Sequence, residues 1–157
     1  MIAEDVYANK GFLQTAFTSD AQALIATTIV DNSAASTTDS GNNITKATSY
    51  VCENTSDKIF LLSEKEVTTS SYGFVLYSSY GQGNTRIRVT TDFAKANNAC
   101  QSTSTGYGGW WWLRSPYYDS SRYVRVVVSA GDADHAYDFA VPRTQGGVVP
   151  ALTISLQ

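Results

Sequence analysis

The only histidine of the chain, His135, lies among Asp132, Asp134 and Asp138, and an imidazole beside carboxylates is raw material for general acid–base chemistry. No serine or cysteine accompanies it in a recognisable motif: the Gly-x-Ser-x-Gly elbow and the His-Glu-x-x-His helix are both absent. His135 and Asp134 therefore read as contact residues, and no catalytic residue is assigned; a small hydrolase or transferase using them is the alternative. The three aspartates also suggest a calcium loop. Counted from Asp132, however, its fifth position is Ala136 and its twelfth is Arg143, where such a loop needs oxygen ligands. An EF-type site is excluded, and neither a metal nor another cofactor is expected. Gly81, Gln82 and Gly83 lack the further glycine and the lysine of a phosphate loop and read as a turn. Cys52 and Cys100 sit in no metal or redox pattern and read as free thiols rather than as a pair.

The same region is richer in contact chemistry. Residues 117–144 mix four tyrosines and Phe139 with small residues, arginines and aspartates, the composition of evolved binding surfaces, in which rigid aromatic anchors stand among adaptable polar groups. The candidate ligand-binding residues are Tyr117, Tyr118, Asp119, Ser121, Arg122, Tyr123, Arg125, Val127, Ser129, Asp134, His135, Tyr137, Phe139 and Arg143. Exposed tyrosines invite association unless they serve a partner. Over residues 122–130 the sequence alternates, with Val124, Val126, Val128 and Ala130 on one face and Tyr123, Arg125, Val127 and Ser129 on the other. The expectation is that the first face is buried and the second displayed, with Tyr123, Arg125 and Val127 as the leading contacts.

Behind this segment stand Trp110, Trp111 and Trp112, all the tryptophan in the chain. Alternation in a strand places Trp110 and Trp112 on one side and Trp111 on the other, so the strand is expected to pack on both faces and to end at Pro116. Earlier in the chain, Ser19 with Gln22 and Ser63 with Glu66 are capping-box patterns, which predict a helix over about 20–28 and a short one after Ser63. Thr90 or Thr91 caps a third, through about residue 97. Residues 31–48 are rich in Ser, Thr, Asn and Ala and read as a long surface loop, as do residues 98–109. Strands are expected over 58–62, 136–141 and 148–156, with Pro150 limiting the last to an edge or bulge, and residues 73–80 are expected to form another strand or an irregular extended segment. Early helices and late strands joined by long loops give an α+β reading.

A chain of 157 residues is read as one domain, able to bury roughly 70% of the surface its unfolded form exposes. Its net charge is −3 and its eleven basic residues are dispersed, which argues against a nucleic-acid partner, whose footprint is a basic stripe. No apolar run approaches the ~20 residues of a membrane span, so no membrane insertion is expected. Glu4 and Asp5 stand where an export leader would be basic and then apolar.

The residues WWLRSP at 111–116 and GVVPAL at 147–152 resemble the WWLRSP and GVRPAL signatures of a bacterial and phage domain family with a C-type-lectin-like fold. GFLQTAFTSDAQALI at 11–25, DKIFLLS at 57–63 and TTDFAKA at 90–96 look like that family's corresponding segments, so the resemblance covers most of the chain. It implies a C-type-lectin-like domain over residues 1–157, with short early helices, a small antiparallel sheet and long loops. Some members resemble the variable proteins of diversity-generating retroelements, in which mutated adenines scatter certain codons over many residues but never reach Lys, Glu, Gln, Met or Trp. Those five types fill 19 of the 129 positions outside residues 117–144 and none of the 28 inside, where about four would fall by chance.

The implied role is a non-enzymatic receptor or adhesin whose variable region, 117–144, meets a protein or glycan ligand at a bacterial surface or on a phage. A structural domain of a larger surface protein is a further alternative. Two departures stand out: Tyr117 replaces the family's glycine after WWLRSP, and Val149 replaces the arginine of GVRPAL, which removes any ion pair that arginine makes in relatives. A relative of this fold makes formylglycine, but that chemistry depends on cysteines in a matched arrangement, which Cys52 and Cys100 do not show.

Overall fold

The computed structural model describes residues 11–38, 41–75, 84–133 and 138–155. The chain opens with helices α1 (Phe12–Ala16) and α2 (Ser19–Leu24). The cap of α2 is Thr18, whose hydroxyl accepts from Ala21 N–H, so the helix begins a residue before the expected start and stops at Leu24. Gln22 still reaches back, but donates to Phe17 O at 2.9 Å. Strands β1 (Ile25–Ala26) and β2 (Thr28–Val30) follow.

Residues 31–48, expected as a loop, instead hold α3 (Ala34–Thr37) and α4 (Gly41–Ala47), and Ala34, Thr37, Thr38 and Ala47 are buried. Small side chains allow close approach, and Thr37 Oγ1 donates to Ser33 O at 2.9 Å, so this hydroxyl enters the interior with a hydrogen-bond partner. Next come β3 (Thr55–Asp57), β4 (Phe60–Leu61) and α5 (Glu64–Val67), the first two in place of the single strand expected over 58–62. The Ser63 box forms as expected: its hydroxyl accepts from Glu66 N–H and its own N–H donates to the Glu66 carboxylate at 2.7 Å. A 3-10 turn, Ser70–Tyr72, ends at Gly73 with φ +82°. The strand or irregular extended segment expected over 73–80 falls largely, and the turn at 81–83 wholly, outside the described residues. Over 86–89 only a bridge forms, Arg88 to Gly109, before Thr91 caps α6 (Asp92–Ala96).

The long hairpin is β5 (Trp111–Tyr117) with β6 (Ser120–Val127), and β7 (Asp138–Ala140) lies against β6. Pro116 does not end β5. The β5–β6 register shifts on either side of it, and this irregularity lets the strand carry a residue without an N–H and continue to Tyr117. The closing segment divides into β8 (Pro150–Ala151), paired antiparallel with β4, and β9 (Thr153–Ile154), paired antiparallel with β1. β2 pairs with β3. Short helices around small antiparallel sheets make an α+β architecture.

The WWLRSP segment is the hub. Trp111 and Leu113 enter the core with Val67, Val127 and Ala133, and Trp111 Nε1 donates to Arg86 O at 3.1 Å. Trp110 and Trp112 share the other side, edge to face with centroids 4.8 Å apart, and Gly146 lies against both rings where no Cβ would fit. Ser115 is fully buried; its hydroxyl donates to Thr37 O at 2.6 Å and accepts from Glu64 N–H at 2.7 Å. One hydroxyl thus joins α3, α5 and β5. Arg86 is also fully enclosed, and its guanidinium donates to Gly131 O, Val67 O and Val75 O. Burial lowers its pKa, opposed by the Asp132 carboxylate.

Candidate ligand-binding face

Pairing of Tyr117 with Ser120 leaves Tyr118 and Asp119 at the tip of the β5–β6 hairpin. Three tyrosines gather there. Tyr117 and Tyr118 have ring centroids 4.5 Å apart, and Tyr123 meets Tyr117 edge to face at 6.0 Å. Each is half-buried, whereas Asp119, Ser121 and Arg122 are exposed beside them. The cluster is held between two cations. Lys46 of α4 places its ammonium 5.1 Å from the Tyr118 centroid, and the Arg125 guanidinium lies 4.9 Å from Tyr117 and 5.3 Å from Tyr118. These distances suit attraction between a cation and an aromatic face.

Arg125 and Val127 do not sit on a displayed face: both are fully buried. Directly paired residues on adjacent strands share a face, so Val127 lies with Trp111, while Val126 lies with Trp112. The tryptophan pattern therefore covers β6 on both sides, and Val126 is as buried as Val127. The alternation holds as a division into two faces, and Val126 is buried as expected, but the face carrying Arg125 and Val127 is covered as well instead of displayed. Tyr123, on that same face, is half-exposed at the outer end of the strand.

Arg125 tolerates burial because Glu64 of α5 is buried with it, Nε to Oε1 at 3.9 Å, and because the Tyr117 and Tyr118 rings cover its guanidinium. A charge that left water without such partners would cost several kcal/mol. Glu64, Lys46 and Ser115 were missed as supports of this region. Glu64 is the residue after the Ser63 cap, and the capping pattern identifies the helix start without indicating which side faces inward.

The remaining expected contacts divide. Phe139 of β7 packs edge to face on Trp110 at 4.6 Å, with the exposed Arg143 guanidinium 4.4 Å over its ring. Ser129 is half-buried, and its carbonyl accepts from Gly108 N–H at 3.0 Å. Asp134, His135 and Tyr137 lie outside the described residues. Among the described residues no group of three His, Cys, Asp or Glu side chains could hold a metal, and Cys52 and Cys100 are free thiols. No described helix is long and apolar enough to cross a membrane.

This α+β arrangement, organised on a WWLRSP strand, can be set against known families. The chain belongs to the family described as a domain of unknown function, DUF6273, whose model matches residues 3–156. No curated protein and no solved structure matches it.

Proposed function

We propose that this chain is a non-enzymatic binding domain of C-type-lectin-like fold that presents the hairpin tip at residues 117–123 to a protein or glycan ligand. The observation that carries the reading is the Tyr117, Tyr118 and Tyr123 cluster, half-exposed and seated on the buried Arg125–Glu64 pair. Tyrosine anchors that are already packed lose little freedom on binding, and the exposed Asp119, Ser121 and Arg122 supply adjustable polar contacts. Phe139 and Arg143 lie on the other side of the sheet, with Trp110, and form a separate patch.

The absence of Lys, Glu, Gln, Met and Trp from residues 117–144 supports diversification of this surface by a retroelement. The test is sequencing of the gene and its flanks across individuals of the source population. Substitutions should gather at Tyr117, Tyr118, Asp119, Ser121, Arg122, Tyr123 and Arg143, spare the buried Arg125, Val126 and Val127, and occur beside a template repeat and a reverse transcriptase gene. A segment as uniform as the rest of the gene would remove the diversification reading.

A further inference from the structure

A second surface lies away from the hairpin tip. A cleft of about 410 Å³ opens among β2, α5 and the 3-10 turn, and none of its lining residues belongs to the face described above. Its volume is within the roughly 300–1,000 Å³ range of small-molecule sites. Its lining includes the partly buried Arg114–Glu66 pair: Nη1 and Nη2 donate to the two carboxylate oxygens, with the side chains 12% and 25% exposed. Asp31 and Lys65 are exposed lining residues.

The charges cancel, Asp31 and Glu66 against Lys65 and Arg114. The Ser36 hydroxyl and Ser33 N–H hold the Asp31 carboxyl below its usual range. Burial pushes the Glu66 carboxyl up, but the Arg114 hydrogen bonds and the Ser63 N–H outweigh it and leave it lowered. Both are therefore ionised at neutral pH, and the lining presents no net charge to select an ion.

The hydrogen-bonding inventory is mixed. Arg114 Nη1 is committed to Leu61 O and Glu66, and Nη2 to Glu66 and Asp31 O. Ser36 uses its proton on Asp31, and Thr69 uses its own on Lys65 O at 2.6 Å, so both hydroxyls face a ligand as acceptors. The Lys65 ammonium, which gives one proton to Ala35 O, and the Tyr72 hydroxyl add donors to the spare lone pairs of the two carboxylates, so the cleft offers both kinds of partner. Its complement is an uncharged molecule dense in O–H groups. Ile29 and Tyr72, 76% and 66% exposed, add apolar surface to the same lining, suited to the C–H face of a sugar ring.

We propose that this cleft binds a neutral saccharide, its hydroxyls donating to Asp31, Glu66, Ser36 and Thr69 and a ring face lying on Tyr72. The site is independent of the hairpin tip and of any metal. The experiment is titration calorimetry of the full chain, with a chelator present, against glucose, galactose, mannose, N-acetylglucosamine and their disaccharides, with glycine and diglycine as charged controls. At least one saccharide should bind with a Kd of about 1 mM or tighter. Tyr72→Ala and Ile29→Ala, both at exposed positions that leave folding intact, should each weaken it by about threefold to tenfold, and Tyr123→Ala should leave it unchanged. The proposal is overturned if no saccharide binds, if glycine or diglycine binds instead, or if Tyr123→Ala weakens binding while the two cleft variants do not. Because Tyr123 lies on the other surface, each result separates this site from the display face.

Discussion

Replacing Arg125 by alanine offers the sharpest test of how the hairpin is built. Were Arg125 a surface contact, its loss would shift stability by only about 0.5 kcal/mol. In the structure its side chain is 1% exposed and Glu64 is 2% exposed, so the substitution leaves a carboxylate in the interior without its partner. Breaking a buried pair in this way costs about 3–5 kcal/mol. For a chain of this length each kcal/mol lowers the melting temperature by roughly 2–4 °C. The Arg125→Ala protein should therefore melt about 6–20 °C below the parent.

Thermal melting followed by circular dichroism, with a urea titration to confirm an unchanged slope, measures this directly. The double variant Glu64→Leu with Arg125→Met removes both charges and keeps the volume, and should recover most of the loss, since apolar replacement of a buried pair is often neutral or favourable. A melting temperature within about 2 °C of the parent for Arg125→Ala would refute the buried pair and return Arg125 to the surface. Equal losses in the single and double variants would instead assign the effect to packing.

Other substitutions separate scaffold from display. Gly146→Ala places a methyl group against the Trp110 and Trp112 rings and should cost about 1–3 kcal/mol in a urea titration. Ser63→Ala removes the cap of α5 and the hydroxyl bond to Ser36 O, for a loss of about 1–2 kcal/mol by the same assay. Asp119→Ala and Arg122→Ala, at exposed positions, should change stability by no more than about 0.5 kcal/mol. Glu66 has a lowered pKa in the fold, so its contribution is complete above the ordinary glutamate range and is lost as pH falls through the folded value. Melting curves from neutral to acid pH should accordingly show a smaller acid loss in Glu66→Gln than in the parent.

The sequence made some layers of this structure readable and hid others for physical reasons. Local rules succeeded where a few neighbouring residues decide the outcome. Ser63 and Glu66 close their capping box, Thr91 caps α6, and Trp110 and Trp112 meet on one side of β5 with Trp111 on the other. They failed at residues 31–48, because threonine counts as polar by composition, yet Thr37 is buried with its hydroxyl bonded to Ser33 O and its carbonyl to Ser115. They failed again on β6. An alternating strand announces two faces, but whether one or both are covered depends on what the rest of the chain brings to each.

Here Trp111 comes to the Val127 side from the neighbouring strand of the hairpin, and Glu64 to Arg125 from α5, far earlier in the chain. The same fact bears on diversification. Arg125, Val126 and Val127 satisfy the compositional rule of residues 117–144 as well as Tyr118 or Asp119 does, yet they are fully buried. A residue type that mutation can reach is thus not enough to identify a contact. If variation does gather in this segment, the partners of each position decide where it is tolerated: a new side chain at Asp119 meets solvent, whereas one at Arg125 must still neutralise Glu64.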